Sequence, residues 1–158
     1  MIRHAGLVAL RVDGRWTGAL IEGASGAGKS DLALRAMQAG LRLVADDRVV
    51  VWACDGGLYG RAPETLRDLI EVRGLDVVRE TSLAFARIAV LVRCDAAPGQ
   101  GERILNGQVV ELCGVPLPVV DMWPFEPSAV VKLRRSICHI GHVRQGAYQA
   151  CLVPHTLP

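Results

Sequence analysis

One run of eight residues, Gly23-Ala24-Ser25-Gly26-Ala27-Gly28-Lys29-Ser30, reads G-x-x-x-x-G-K-S and constrains this chain more than any other feature. Its glycines let backbone N–H groups converge on an anion where a Cβ would stand in the way. The lysine brings a point charge to the outer phosphates, and the serine offers its hydroxyl to Mg²⁺. A helix that follows such a loop turns its positive end toward the anion. The pattern requires an apolar strand before the loop and an amphipathic helix after it. Both are present: Trp16 to Ile21 is apolar, and Lys29 to Ala39 carries the stripe Leu32, Ala33, Ala36, Met37. The expectation is an α/β P-loop domain that binds a nucleoside triphosphate with Mg²⁺ through Gly23, Ala24, Ser25, Gly26, Ala27, Gly28, Lys29 and Ser30.

The strand entering the loop is unusual. Leu7 to Val12 is a second apolar run, separated from Trp16 to Ile21 by Asp13-Gly14, a strong hairpin signal. A hairpin arm feeding the loop predicts a mixed sheet rather than a purely parallel one. Further on, Leu41 to Ala45 and Arg48 to Ala53 read as strands, Pro63 to Ile70 as a short helix, and Ile88 to Val92 as a buried strand. Residues 96–101 read as loop. Val109 to Cys113 and Leu117 to Val120 flank a turn, and Pro127 to Ile137 reads as a helix. Residues 1–137 form the expected P-loop domain, with 138–158 a loosely attached tail.

Composition narrows the partners. With 51% hydrophobic residues in 158, there is material for one sizeable core, and the 4% aromatic content means Val, Leu, Ile and Ala must build it. A net charge of +2 without like-charge blocks gives no support for nucleic-acid binding. No run approaches the ~20 apolar residues of a membrane span. Arg3 and His4 interrupt any secretory leader, and five cysteines without tight pairing suit reduced thiols, so a cytoplasmic location is expected.

Asp46 and Asp47 close the strand Leu43-Val44-Ala45. A carboxylate leaving a strand beside a P-loop can hold Mg²⁺, and another can take a proton from an attacking hydroxyl. Neighbours on an extended chain face opposite ways, so only one can aim at the γ-phosphate. The residues alone do not choose between them.

Leu69-Ile70-Glu71-Val72-Arg73-Gly74-Leu75 resembles the signature of the HPr kinase/phosphorylase family, which usually reads like L-L-E-I-R-G-L-G. With the P-loop and the Asp46-Asp47 strand in the same order, the resemblance spans roughly residues 4–135. It implies a mixed-sheet fold akin to phosphoenolpyruvate carboxykinase. It also implies ATP- and Mg²⁺-dependent phosphorylation of a serine on HPr, a small phosphocarrier protein, by a hexameric enzyme. Carried over residue by residue, Lys29 and Ser30 are the P-loop positions, Asp47 matches the proton acceptor, and Asp46 supports it. Glu71 joins Ser30 as a Mg²⁺ ligand. Arg73, His4 and Arg103 match catalytic positions. The chain resembles the short, kinase-domain-only members of the family.

Three departures follow from the same comparison. His4 stands farther from the loop than is usual, Asp76 replaces the second signature glycine, and Pro124-Phe125-Glu126 stands where a Pro-Gly-Arg segment serves phosphorolysis. Weak or absent phosphorolysis is therefore expected. A nucleotide-sensing regulator with little transferase activity is the alternative to a serine kinase, although a sensor needs no proton acceptor. Cys138, His142, Cys151 and His155 have zinc-like spacing, but read as incidental tail residues.

Overall fold

The computed structural model describes residues 1–94 and 107–140. Eleven strands and two α-helices follow one another among them. The first three strands are β1 (Ile2–His4), β2 (Gly6–Val12) and β3 (Arg15–Glu22), and α1 (Lys29–Gln38) comes next. Then come β4 (Arg42–Ala45), β5 (Arg48–Cys54), β6 (Gly57–Arg61), β7 (Leu69–Val72) and β8 (Asp76–Arg79). The chain continues with β9 (Ala86–Arg93), β10 (Val109–Leu112), β11 (Val115–Asp121) and α2 (Ala129–His139).

The expected hairpin forms. β2 and β3 pair antiparallel from Gly6↔Ile21 to Val12↔Arg15, and Asp13 and Gly14 both take positive φ (48° and 78°), as a two-residue hairpin turn demands. On its other side β3 runs parallel to β9, so the strand that delivers the Gly23–Ser30 loop has one antiparallel and one parallel neighbour. The main sheet runs β1-β5-β6-β9-β3-β2-β4, with β11 parallel to the end of β9 and β10 paired to β11. The sheet is mixed.

At the centre of that sheet, in β2, β3 and β9, both faces are buried, which explains the unbroken apolar runs in β2 and β3. Ala19 and Ile21 join Leu32, Ala33 and Ala36 of α1 and Leu133 and Ile137 of α2 in one cluster. Leu20, on the opposite face, packs with Leu7, Val49, Val51, Leu58 and Leu117 in a second cluster enclosed by the curling strands themselves. Fully burying an aliphatic side chain contributes about 1.5–3 kcal/mol. The β2–β3 hairpin, shared by the two cores, is therefore a rigid base for the loop it carries.

Two local expectations changed. The helix expected over Pro63 to Ile70 is a single 3₁₀ turn at Glu64–Leu66, after which the chain enters β7. Asp68 explains the switch: it takes a left-handed φ of 59°, and its carboxylate accepts from the backbone N–H (2.9 Å) and hydroxyl (2.6 Å) of Ser82. A residue so engaged cannot continue a helix. The last helix begins at Ala129 and continues through Cys138 to His139, into the segment expected to be tail. Residues 96–101, Arg103, His142, Cys151 and His155 lie outside the described residues.

Candidate active site

The loop between β3 and α1 closes on itself. Ala27 N–H donates to Ala24 O (3.1 Å), and Gly26 and Gly28 take φ of 81° and 95°. Gly28 occupies the last position before α1, where a left-handed backbone excludes most side chains. Lys29, only 8% exposed, folds back so that its ammonium donates to Gly23 O (2.9 Å) and Ala24 O (3.0 Å).

The next residue links the loop to the acids. Ser30 Oγ donates to Asp46 Oδ1 (2.9 Å) and Oδ2 (3.2 Å), and Glu71 N–H donates to Asp46 Oδ2 (3.0 Å). Asp46 is 5% exposed. One buried carboxylate thus joins the start of α1, the end of β4 and the middle of β7. Arg73 borders the same mouth, its Nη1 3.5 Å from where a Cβ on Gly26 would lie. The structure brings Glu71 into this cluster by its backbone amide, while its side chain is exposed.

Asp47 turns the other way. It sits in the tight β4–β5 connection with φ 63°, and Arg48 N–H reaches back to Asp46 O (2.7 Å). Its exposed carboxylate lies 3.2 Å from His4 Nδ1 and accepts from Arg48 Nε (3.2 Å). Ala5 N–H donates to Asp47 O (3.1 Å), which fastens β1 and its histidine beside the acid. The two adjacent acids therefore have separate surroundings, one buried against Ser30 and one open to solvent beside His4.

The chemistry of this donor set fits Mg²⁺. The ion dehydrates reluctantly and is usually held by one or two carboxylates together with phosphate oxygens and waters. The Ser30 hydroxyl and the Asp46 carboxylate supply such hard oxygens side by side. Among the described residues, no group of three or more His, Cys, Asp or Glu forms an all-protein metal cage. The site suits an ion that arrives with a phosphate.

Two features of the surroundings escaped the sequence reading. Arg3 Nε and Nη2 clamp the Glu22 carboxylate at 2.7 and 2.8 Å, so the residue before the loop is tied to the strand carrying His4. The hydrogen bonds that Arg3 donates to Glu22 hold its guanidinium above its ordinary pKa, against the opposing effect of burial. A charged residue ending an otherwise apolar strand was the available signal. The other feature is Pro124-Phe125, packed directly on Gly28, with the Arg35 guanidinium donating to Pro124 O. The family resemblance ties that segment to phosphorolysis, but nothing in the local sequence places it on Gly28.

Among the described residues no helix is long and apolar enough to cross a membrane. A family model described as the HPr Serine kinase C-terminal domain matches residues 3–90. The HPr kinase/phosphorylase of Streptococcus uberis is 39% identical over 112 residues, covering 64% of this chain and 36% of that protein. The Limosilactobacillus reuteri protein of the same name is 47% identical over 73 residues, covering 46% and 23%. The chain spans about a third or less of the length of these curated relatives. Among solved structures, the HPr(Ser) kinase/phosphatase from Coxiella burnetii superimposes with a TM-score of 0.72 at 20% identity. That match covers 86% of this chain and 95% of that one, and speaks for a shared fold. With the family model matching more than half its length, the chain belongs to the family of the HPr serine kinase C-terminal domain.

Proposed function

We propose that this chain is a kinase that transfers the γ-phosphate of ATP to a serine hydroxyl of an HPr-like carrier protein, on a P-loop scaffold akin to phosphoenolpyruvate carboxykinase. The observation that carries the reading is the Lys29–Ser30–Asp46 cluster at the loop mouth, with an open acid, Asp47, one residue away. Phosphoryl transfer asks little covalent work of a protein; positioning and charge neutralisation dominate. Lys29 exchanges its two loop carbonyls for phosphate oxygens. Ser30, Asp46 and Glu71 are the residues to hold Mg²⁺, which when bound neutralises charge on the phosphates. Arg73 stands at the same mouth and adds a further cation toward the transferred group.

Asp47 is the proton acceptor in this reading. Its exposure suits a serine presented on the surface of another protein, and Asp46, buried against Ser30, is not reachable by one. His4, 3.2 Å away, orients the carboxylate. Phosphorolysis is proposed to be weak because Phe125-Glu126 offers no arginine for a second anion. Repulsion by Glu126 is not the reason, since Lys132 Nζ meets its carboxylate at 2.7 and 2.8 Å and offsets that charge.

The test is incubation with ATP-Mg²⁺ and HPr-like carriers, with phosphate mapped by mass spectrometry. Phosphoserine on a carrier is expected, and its disappearance in Lys29→Ala together with weakened ATP binding. Stoichiometric ATP binding without transfer to any carrier would instead favour a nucleotide sensor.

A further inference from the structure

We propose that Phe125, braced by Trp123, is a stacking platform for the base of the nucleotide. The proposal rests on the P-loop reading above and adds a subsite to it. Three observations carry it.

The first is position. A Cβ built on Gly28 would lie 2.7 Å from Phe125 Cζ, 3.1 Å from Phe125 Cε1 and 3.0 Å from Pro124 Cγ, so the ring lies directly on the last glycine of the loop. Gly26 faces Arg73 instead. The outer phosphates belong with Ser30, Asp46 and Arg73, where the cation and the acceptor acid gather. In this proposal a nucleoside joined to the inner phosphate extends away from those carboxylates, toward the side of the loop on which Phe125 lies.

The second is exposure on a fixed support. Phe125 is 52% exposed, in a chain with only two phenylalanines. The turn that carries it is held at every side: Met122 N–H to Arg93 O (2.9 Å), Glu126 N–H to Trp123 O (3.3 Å), Ala129 N–H to Glu126 O (3.0 Å), Arg35 on Pro124 O, and Lys132 on Glu126. A ring needed only to fill space would be buried by such a well-fastened turn. Here the turn is rigid and the ring is left half open.

The third is orientation. Trp123 meets Phe125 at 6.4 Å between centroids and 69° between planes. This edge-type contact fixes the tilt of the ring without stacking the two aromatic faces on each other.

Aromatic stacking on a base tolerates any base, because each has a π-face. The platform therefore raises affinity for nucleotides over bare polyphosphate without choosing ATP strongly over GTP. The experiment is calorimetric titration of wild type, Phe125→Ala, Phe125→Leu and Phe125→Tyr with ATP-Mg²⁺ and, separately, with inorganic tripolyphosphate-Mg²⁺. Alanine is expected to weaken ATP binding by about 5- to 150-fold while leaving tripolyphosphate within about twofold. Leucine keeps apolar bulk against Gly28 and should show the same split; tyrosine should keep wild-type affinity. Equal losses for both ligands would mean that the ring merely props the loop, and would overturn the proposal. Unchanged ATP affinity in both Ala and Leu variants would overturn it as well. Failure of the wild type to bind either ligand would sink the P-loop reading itself, and the platform with it.

Discussion

Replacing each of the two adjacent acids separates structure from chemistry. Asp46→Ala removes the acceptor for Glu71 N–H (3.0 Å) and for the Ser30 hydroxyl (2.9 Å) at a site 5% exposed. Hydrogen bonds to a charged group contribute about 1.5–3 kcal/mol each, and an orphaned buried donor loses its full solvation. Ser30 is partly exposed and can turn to water, and the buried charge no longer has to be desolvated, so the net cost is about 2–3 kcal/mol. For a domain of this length that lowers Tm by roughly 4–12 °C. Asp47→Asn differs. Its side chain is 53% exposed, its partners His4 and Arg48 are exposed too, and such surface pairs contribute about 0–1 kcal/mol. Asparagine also tolerates the φ of 63° that Asp47 adopts. Stability should barely move, while turnover falls by about 10²–10⁴-fold for a lost general base. Urea unfolding gives the first quantity and steady-state phosphotransfer to a carrier gives the second. The reasoning is refuted if Asp47→Asn destabilises as much as Asp46→Ala, or if it retains full turnover. An Asp46→Asn protein that is stable but inactive, beside an active Asp47→Asn, would exchange the two roles.

Two further predictions concern the scaffold. A Cβ on Gly18, in the strand that delivers the loop, would sit 2.5 Å from the backbone oxygen of Val8. That carbonyl cannot rotate away without breaking the β2–β3 ladder, so Gly18→Ala is expected to cost about 3 kcal/mol in chemical denaturation; a neutral result would mean that the hairpin is looser than described. The Ser82 hydroxyl, and then its backbone N–H, hold the Asp68 carboxyl below its ordinary pKa. A depressed folded pKa contributes stability above the unfolded value near 4 and loses it as pH falls through the folded one. Thermal melts of Asp68→Asn should therefore trail wild type above about pH 5 and converge with it in acid.

The hairpin, the loop and α1 were legible because each is a local matter. Asp13-Gly14 sets a turn, a 3.6-residue stripe sets a helix, and G-x-x-x-x-G-K-S sets a backbone path, all within a few neighbours in sequence. The segment from Pro63 to Ile70 misled because proline and glutamate look like a helix start, and the decisive partner of Asp68, Ser82, is 14 residues away. The distinct settings of Asp46 and Asp47 were equally hidden. Alternation along a strand says that neighbours diverge, but which one is buried depends on where Ser30 and the amide of Glu71 arrive in space.

What the sequence determined by itself is thus the β2–β3 hairpin, the glycine-rich loop and the helix that follows it, because those depend on residue type at short spacing. The tertiary structure alone decided what surrounds that loop. Arg3 reaches Glu22 across 19 residues, and Arg35 reaches the Pro124 carbonyl across 89. Phe125 comes to rest on Gly28 because α1 and α2 share one core. Contacts of that range follow from how sheets curl and helices pack against common apolar faces, and no local pattern encodes them.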